Sequence, residues 1–330
     1  MNRREFLKAS AAASVFPLLG SCQHSNRWER EAYRKTRTSR VAIMAAESYE
    51  APLQDIILRG LKLFGLDVRG KVILLKPNLV EFDPSGVINT HPILVEAAIT
   101  AFRRGGAREV IVAEGPGHRR DNEYLLRASG LYRVLKEHAI RYIDLNSDDV
   151  QPTKLRSHFT RFDQLYLPKT LFRADLIVSM PKLKTHHWAG VTLSLKNMFG
   201  VVPGSIYGWP KNALHWAGIH ESILDINSSL PRPQFAIIDG IVGMEGNGPI
   251  QGQAKRSGVV IFGNDLVAAD ATAARMMKIE PRKVKYLEIA GQFLGNMVNE
   301  SIEQIGESLE KFQQDFRVIR EFQELKSLTG

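Results

Sequence analysis

Short apolar runs rich in β-branched residues recur along this chain, at 41–45, 72–75, 110–113, 142–145, 176–179, 235–238 and 259–262. Runs of this length without polar alternation predict strands buried on both faces of a parallel sheet. Between them, 53–64, 91–104, 124–138, 215–230 and 266–277 carry apolar residues at helical spacing; Gly105-Gly106 closes the second helix and Gly130 breaks the third. Strand–helix alternation of this kind predicts an α/β domain, doubly wound around a mostly parallel sheet with helices on both faces. The tail 301–325 places Ile305, Leu309, Phe312, Phe316 and Ile319 at helical spacing, yet its start, 302–306, reads equally as an edge strand.

No repeat or linker divides residues 41–330, which are expected to form a single α/β domain. Ahead of it, Asn2-Arg3-Arg4-Glu5-Phe6-Leu7-Lys8 resembles a twin-arginine export signal, and the apolar run 9–20 is too short to span a bilayer as a mature helix. Leu19-Gly20-Ser21-Cys22 resembles a lipobox, which makes residues 1–21 a signal peptide and Cys22 a lipidation site; cleavage at Ala11-Ala12-Ala13 is the alternative. Residues 22–40 are polar and arginine-rich and read as a tether. The expected location is the cell envelope, periplasmic or extracytoplasmic, with the export machinery and the membrane as partners.

Composition narrows the chemistry. The formal charge is +9 across the chain. Its cations are dispersed rather than gathered beside aromatic side chains, which argues against a nucleic-acid partner. Cys22 is the single cysteine, so the chain can build neither an internal disulfide nor a cysteine-ligated iron–sulfur cluster or zinc site.

Polar motifs follow the strands. Residues 72–75 run into Lys76-Pro77-Asn78, 110–113 into Glu114-Gly115-Pro116-Gly117-His118, and 176–179 into Lys182-Leu183-Lys184-Thr185-His186-His187. Residues 235–238 run into Asp239-Gly240 and the glycine-rich stretch Gly243 to Pro249, and 259–262 into Gly263-Asn264-Asp265. In a parallel sheet all five motifs share one edge and can converge on one crevice. Turn and capping duties explain many such residues, and Asp265 reads as an N-cap. His91-Pro92 likewise reads as a helix start.

Lysine and histidine are not turn formers. In an extended segment Lys182, Lys184 and His186 share one side, with Thr185 and His187 on the other. Such donors suit phosphate or carboxylate, and a lysine crowded by cations can lose its proton and act as base or Schiff-base nucleophile. Lys196-Asn197 sits in an apolar helical stretch ended by Gly200. Asp239 reads as metal ligand, general base or cap, and Glu245 as a candidate acid. His215 and His220, five apart, make a poor metal pair. The glycines at 240, 243, 246 and 248 form neither a dinucleotide fingerprint nor a P-loop, because Pro249-Ile250 follows instead of a helix.

Lys76-Pro77-Asn78-Leu79-Val80, Thr90-His91-Pro92, Pro181 to His186, Leu195 to Gly200 with Pro203-Gly204, Asp239-Gly240 with Met244 to Pro249, and Asp265 with Ala269-Asp270 together resemble one family, domain of unknown function 362. The likeness runs over about 72–290. It implies the α/β core and that the strand-end motifs belong together; it brings no reaction. Some relatives carry ferredoxin-like iron–sulfur segments, whose cysteines are absent here.

The expectation is therefore an exported enzyme acting on an anionic small molecule. Lys184, His186 and Asp239 are the catalytic candidates. Lys76, Asn78, Lys182, Thr185, Lys196, Asn197 and Glu245 are the binding candidates. The rival readings are a non-catalytic lipoprotein that binds a ligand or assists assembly, and a redox protein with a non-cysteine cofactor; the residues name no metal or organic cofactor.

Overall fold

A computed structural model describes residues 27–28, 33, 35–117 and 121–326. Arg3, Arg4 and Cys22 of the expected export signal lie outside the described residues, as does His118. In chain order come β1 (Ser39–Ala45), α1 (Leu53–Leu63), β2 (Val72–Pro77), α2 (Pro92–Arg104), β3 (Glu109–Glu114), α3 (Asn122–Ala128), α4 (Leu131–Glu137) and β4 (Arg141–Asp144). Next are β5 (Val150–Lys154), β6 (Gln164–Pro168), α5 (Lys169–Arg173), β7 (Leu176–Met180), β8 (Lys182–His186), β9 (Gly190–Thr192), α6 (Ser194–Asn197), α7 (Gly204–Tyr207), α8 (Asn212–Trp216) and α9 (Ile219–Ser229). The last part holds β10 (Gln234–Asn247), β11 (Gln251–Gly263), α10 (Leu266–Met276), α11 (Lys285–Phe293), β12 (Ile302–Gly306) and α12 (Leu309–Phe312).

One sheet runs in the order β12-β1-β11-β10-β7-β2-β3-β4, with β8 beside β10 and β9 beside β8. Alternate residues of each central strand feed different cores. Leu74, Ile111, Ile177 and Ile238 join the layer that holds α9, α10 and α11, whereas Ile73, Leu75, Val112, Val178 and Ile237 join the layer under α1 to α4. Burial on both faces is why these strands read as unbroken apolar runs. The fold is a doubly wound, mostly parallel α/β sheet with helices on both faces.

From β2 the chain steps outward to β3 and β4, while β7 and β10 build in the other direction. The carboxyl ends of β2 and β7 therefore flank a topological switch point, where open α/β sheets leave a crevice.

Several expectations change. β11 returns antiparallel to β10 through a short hairpin, because so few residues join the two strands. Gly263-Asn264-Asp265 thus lies at the opposite end of the sheet from the other four motifs. There Asp265 caps α10, accepting from Val267 N at 2.9 Å and Ala268 N at 3.1 Å. Residues 240–247 are strand rather than loop. A Cβ at Gly243 would lie 2.6 Å from Leu183 O, so the absent side chain is what lets β8 lie against β10.

The break expected at Gly130 within 124–138 is present: two helices meet there, with Gly130 at φ +80°. The helix expected at 215–230 is divided, at Gly218 with φ +104°. In the tail the edge-strand alternative holds: β12 pairs with β1 in parallel, and α12 is a single turn. The β5–β6 hairpin and β9 have no counterpart in the apolar pattern. No helix among the described residues is long and apolar enough to cross a membrane.

Candidate functional site

At the switch point lies a cavity of about 350 Å³, lined by Lys76, Asn78, Glu114, Lys184, His186, His187, Thr192, Lys196, Asn197, Lys211 and His215, with Leu79, Val80, Trp188, Phe199 and Ile250 among its apolar walls. Four lysines and three histidines thus face one carboxylate among the described residues.

That carboxylate is committed. β2 delivers Lys76 and β3 delivers Glu114 at neighbouring strand ends, and Lys76 Nζ forms an ion pair with Glu114 Oε2 where both are essentially solvent-free. Glu114 Oε1 accepts from Gly115 N at 2.9 Å. Lys76 Nζ also donates to Pro77 O at 3.0 Å and to Asn197 Oδ1 at 3.2 Å. Burial pulls the Lys76 amine down from its usual value, and the Glu114 charge opposes that pull.

α6 is a single turn, yet its position is fixed by side chains. Asp270 accepts from Ser194 N at 2.7 Å and Leu195 N at 2.9 Å. Burial pushes the Asp270 carboxyl up to about 7, against the lowering effect of those same N–H groups. Asn197 Nδ2 donates to Lys76 O and Ser179 Oγ, both at 3.1 Å. Asn197 is therefore a brace for Lys76, its amide used on both ends.

Lys196, between these anchors, is different. Its Nζ sits 4.3 Å from the Phe199 ring centroid and has no hydrogen-bond or carboxylate partner among the described residues. Burial, then the Lys76 charge, lowers it to about 8, which leaves it a cation at neutral pH. Lys211 adopts φ +67° and spends its three N–H groups on Gly115 O (2.7 Å), Gly200 O (3.1 Å) and Phe199 O (3.3 Å). It clamps the loop after β3 to the loop after α6, and burial lowers it to about 7.

The histidines divide by tautomer. His186 Nδ1 accepts from Trp188 N at 3.0 Å and Ala189 N at 3.2 Å. Its proton must then sit on Nε2, and burial beside Lys196 holds the ring neutral, well below its usual value. His186 offers a hydrogen-bond donor, and its tautomer leaves no lone pair free for a base. His215 is the converse: Nδ1 lies 3.1 Å from Lys211 O, a carbonyl that only accepts, so Nδ1 carries the proton and Nε2 the lone pair. Burial lowers His215 as well, which keeps that lone pair available.

Asn78 Oδ1 and Thr192 Oγ1 are buried without a partner among the described residues. Both belong to cavity-lining residues. Orphaned buried polar atoms of this kind cost free energy unless something occupies the site.

The remaining expected site residues lie elsewhere. Lys182 Nζ is paired with Asp239 Oδ2 at 2.6 Å and donates to Tyr49 OH at 2.8 Å, while Tyr49 OH donates to Asp239 Oδ1 at 2.9 Å. His91 N, at the start of α2, adds a bond to Asp239 Oδ2 at 2.9 Å, and the His91 ring stacks on Tyr49. Thr185 Oγ1 donates to Gly246 O at 2.8 Å. Glu245 accepts from Arg317 Nε at 2.8 Å and Arg317 N at 3.0 Å, tying the C-terminal segment to β10. None of Lys182, Thr185, Asp239 and Glu245 lines the cavity. Among the described residues no three metal-ligating side chains of the His, Cys, Asp and Glu types gather.

Glu114, His187, Thr192, Lys211 and His215 are among the cavity residues outside the expected catalytic and binding set. Glu114 carried a signal, since it follows an apolar strand directly; Lys211, placed by its left-handed backbone, carried none.

The fold and the cation-lined crevice define a doubly wound α/β protein with a switch-point pocket. The chain belongs to the family described as Domain of unknown function (DUF362), whose model matches residues 73–275. It is 27% identical over 256 residues to a thylakoid-associated protein of Synechocystis sp., covering 74% of this chain and 76% of that one. Among solved structures, the lactate racemase apoprotein of Thermoanaerobacterium thermosaccharolyticum superposes with a TM-score of 0.43 at 16% identity, over 76% of this chain and 58% of that one. A Thermotoga maritima protein from a structural genomics programme gives 0.40 at 15%, over 73% and 59%. The chain thus spans under two thirds of either solved chain.

Proposed function

We propose that this member of an uncharacterised family is an exported, lipid-anchored enzyme acting on a small anion bearing phosphate or carboxylate. The observation that carries the anion is the charge balance of the cavity: its carboxylate, Glu114, is spent on Lys76, and Lys196 is left as a partly buried cation without a partner among the described residues. Taking a ligand anion against Lys196 removes the uncompensated charge. His186 Nε2–H adds a neutral donor, and Asn78 Oδ1 accepts a hydroxyl or similar donor of the ligand. His215 Nε2 is the base and Lys184 the second catalytic group, a pairing able to move protons at a bound substrate.

Binding of inorganic phosphate, measured by calorimetry or thermal shift, tests the pocket. A charge-assisted hydrogen bond is worth about 1.5–3 kcal/mol, so Lys196→Met should weaken phosphate by roughly 10- to 100-fold. Wild-type affinity should also decline as pH rises through about 8, because Lys196 is cationic below that value and neutral above it. Unchanged affinity in Lys196→Met refutes the assignment. Phosphate binding without turnover of any phosphate or carboxylate ester or carbonyl tried favours a binding lipoprotein over an enzyme.

Export rests on the sequence of residues 1–22. Replacing Arg3-Arg4 by Lys-Lys should hold the protein in the cytoplasm, and Cys22→Ala should release it from the membrane fraction. Fractionation that finds both variants where the wild type resides removes the export and anchoring part of the reading.

A further inference from the structure

We infer that Lys184 is a nucleophilic amine, and that the pocket forms an imine between its Nζ and the carbonyl carbon of an anionic aldehyde or ketone. This rests on the anion pocket and names its substrate class.

The argument begins with what Lys184 touches. Its side chain is fully buried on β8 and lines the cavity. Nζ donates to two backbone carbonyls, Ile88 O at 2.8 Å and Pro249 O at 3.2 Å, and meets no carboxylate among the described residues. The three other fully buried cavity and strand-end lysines are compensated: Lys76 by Glu114, Lys182 by Asp239, Lys211 by three carbonyls. Two acceptors match the two N–H bonds of a neutral amine and leave its lone pair unengaged. An ammonium there would bury a charge and a third N–H with nothing to receive it.

The charges around Lys184 agree. Burial drives its amine well below the usual value; Lys182, Lys196 and Lys76 push it the same way and Glu114 opposes them. A lysine kept neutral by desolvation and neighbouring cations is the form that attacks carbonyls.

The step balances with groups already in the cavity. The Lys184 lone pair forms the N–C bond while the carbonyl π pair moves to oxygen, which takes a proton from the Lys196 ammonium. The nitrogen passes a proton to His215 Nε2. His215 then returns that proton to the hydroxyl, which leaves as water as the nitrogen lone pair forms the C=N bond. The products are a protonated imine, a neutral Lys196 and water; no oxidant or reductant enters. His186 Nε2–H is placed to hydrogen-bond the developing oxyanion or the acid group.

Glyoxylate, a small anionic aldehyde, is the probe, with cyanoborohydride to fix any imine and peptide mass spectrometry to locate it. At neutral pH the reduced adduct is expected on Lys184 before the exposed Lys62. It should saturate at one per chain and be suppressed by excess inorganic phosphate. Lys184→Met, which keeps the buried position uncharged, should lose the adduct. If wild-type protein shows the phosphate shift but carries no adduct on Lys184, the imine proposal falls and the anion pocket stands. If it shows neither, the pocket itself is refuted. An adduct on Lys196 in place of Lys184 also overturns the assignment.

Discussion

Glu114→Gln should be among the most destabilising substitutions in the pocket wall, lowering unfolding free energy by about 3–5 kcal/mol. Glu114 and Lys76 are ion-paired with relative exposures of 2% and 0%, so removing the carboxylate leaves an ammonium facing only Pro77 O and Asn197 Oδ1. A glutamine amide keeps the volume and can still accept from Gly115 N, which isolates the charge as the variable. Urea denaturation of the single variant and of Glu114→Gln/Lys76→Met measures it. The double variant should recover most of the loss, because both charges are then gone. A single-variant cost below about 1 kcal/mol would mean that the pair is not ionic. Gly200 shares the same constraint: a Cβ there would overlap Glu114 Oε1 and come within 2.8 Å of Lys76 Nζ.

Asp239→Asn is expected to cost a similar amount, about 3–5 kcal/mol, while leaving phosphate binding intact. Asp239 accepts from Lys182 Nζ, Tyr49 OH and His91 N, three donors on two oxygens in a fully buried site. An asparagine retains one of those oxygens and turns an NH₂ group toward donors. Tyr49→Phe, which removes the bond donated to Asp239 and the one accepted from Lys182 but no charge, should cost about 1–3 kcal/mol. The contrast that matters is between stability and binding, since Asp239 does not line the cavity. An Asp239→Asn protein of normal stability that no longer binds phosphate would restore the carboxylate to a catalytic role.

The parts of the fold that were legible are those in which local pattern and final environment coincide. Val72 to Leu75 reads as a strand because every residue is apolar, and it is so because α1 and α2 cover one face of the sheet while α9 and α10 cover the other. Gly130 marks a legible break because its backbone angle is positive, a conformation other residues adopt at a cost, whereas the same property of Gly218 divides a stretch that reads as one helix. The direction of β11 is not legible in its sequence: a strand's apolar run is the same whichever way it points, and only its hairpin partner fixes the sense.

The site was legible to the level of residue type. Lys76, Asn78, Lys184, His186, Lys196 and Asn197 do reach one cavity. Lys182, Thr185, Asp239 and Glu245 carry equally suggestive side chains but close upon partners of their own. His215 and His220 are too poorly spaced to read as a metal pair, yet the hydrogen bond to Lys211 O gives His215 the lone pair that His186 lacks.

Sequence alone determined the α/β class, the family and the gathering of lysine and histidine at strand ends, since burial and turn chemistry act on near neighbours in the chain. Which lysine is neutralised, which is left without a counter-charge and which histidine nitrogen holds a proton were decided by tertiary contacts. Glu114 lies 38 residues beyond Lys76, and Asp239 lies 57 beyond Lys182. Electrostatic energy depends on distance in space and on exclusion of water, and neither is a property of sequence position. The Lys-Leu-Lys-Thr-His segment therefore announces a basic site, and the fold decides how each cation is treated: Lys182 is paired with Asp239, whereas Lys184 and His186 are buried with no carboxylate partner among the described residues.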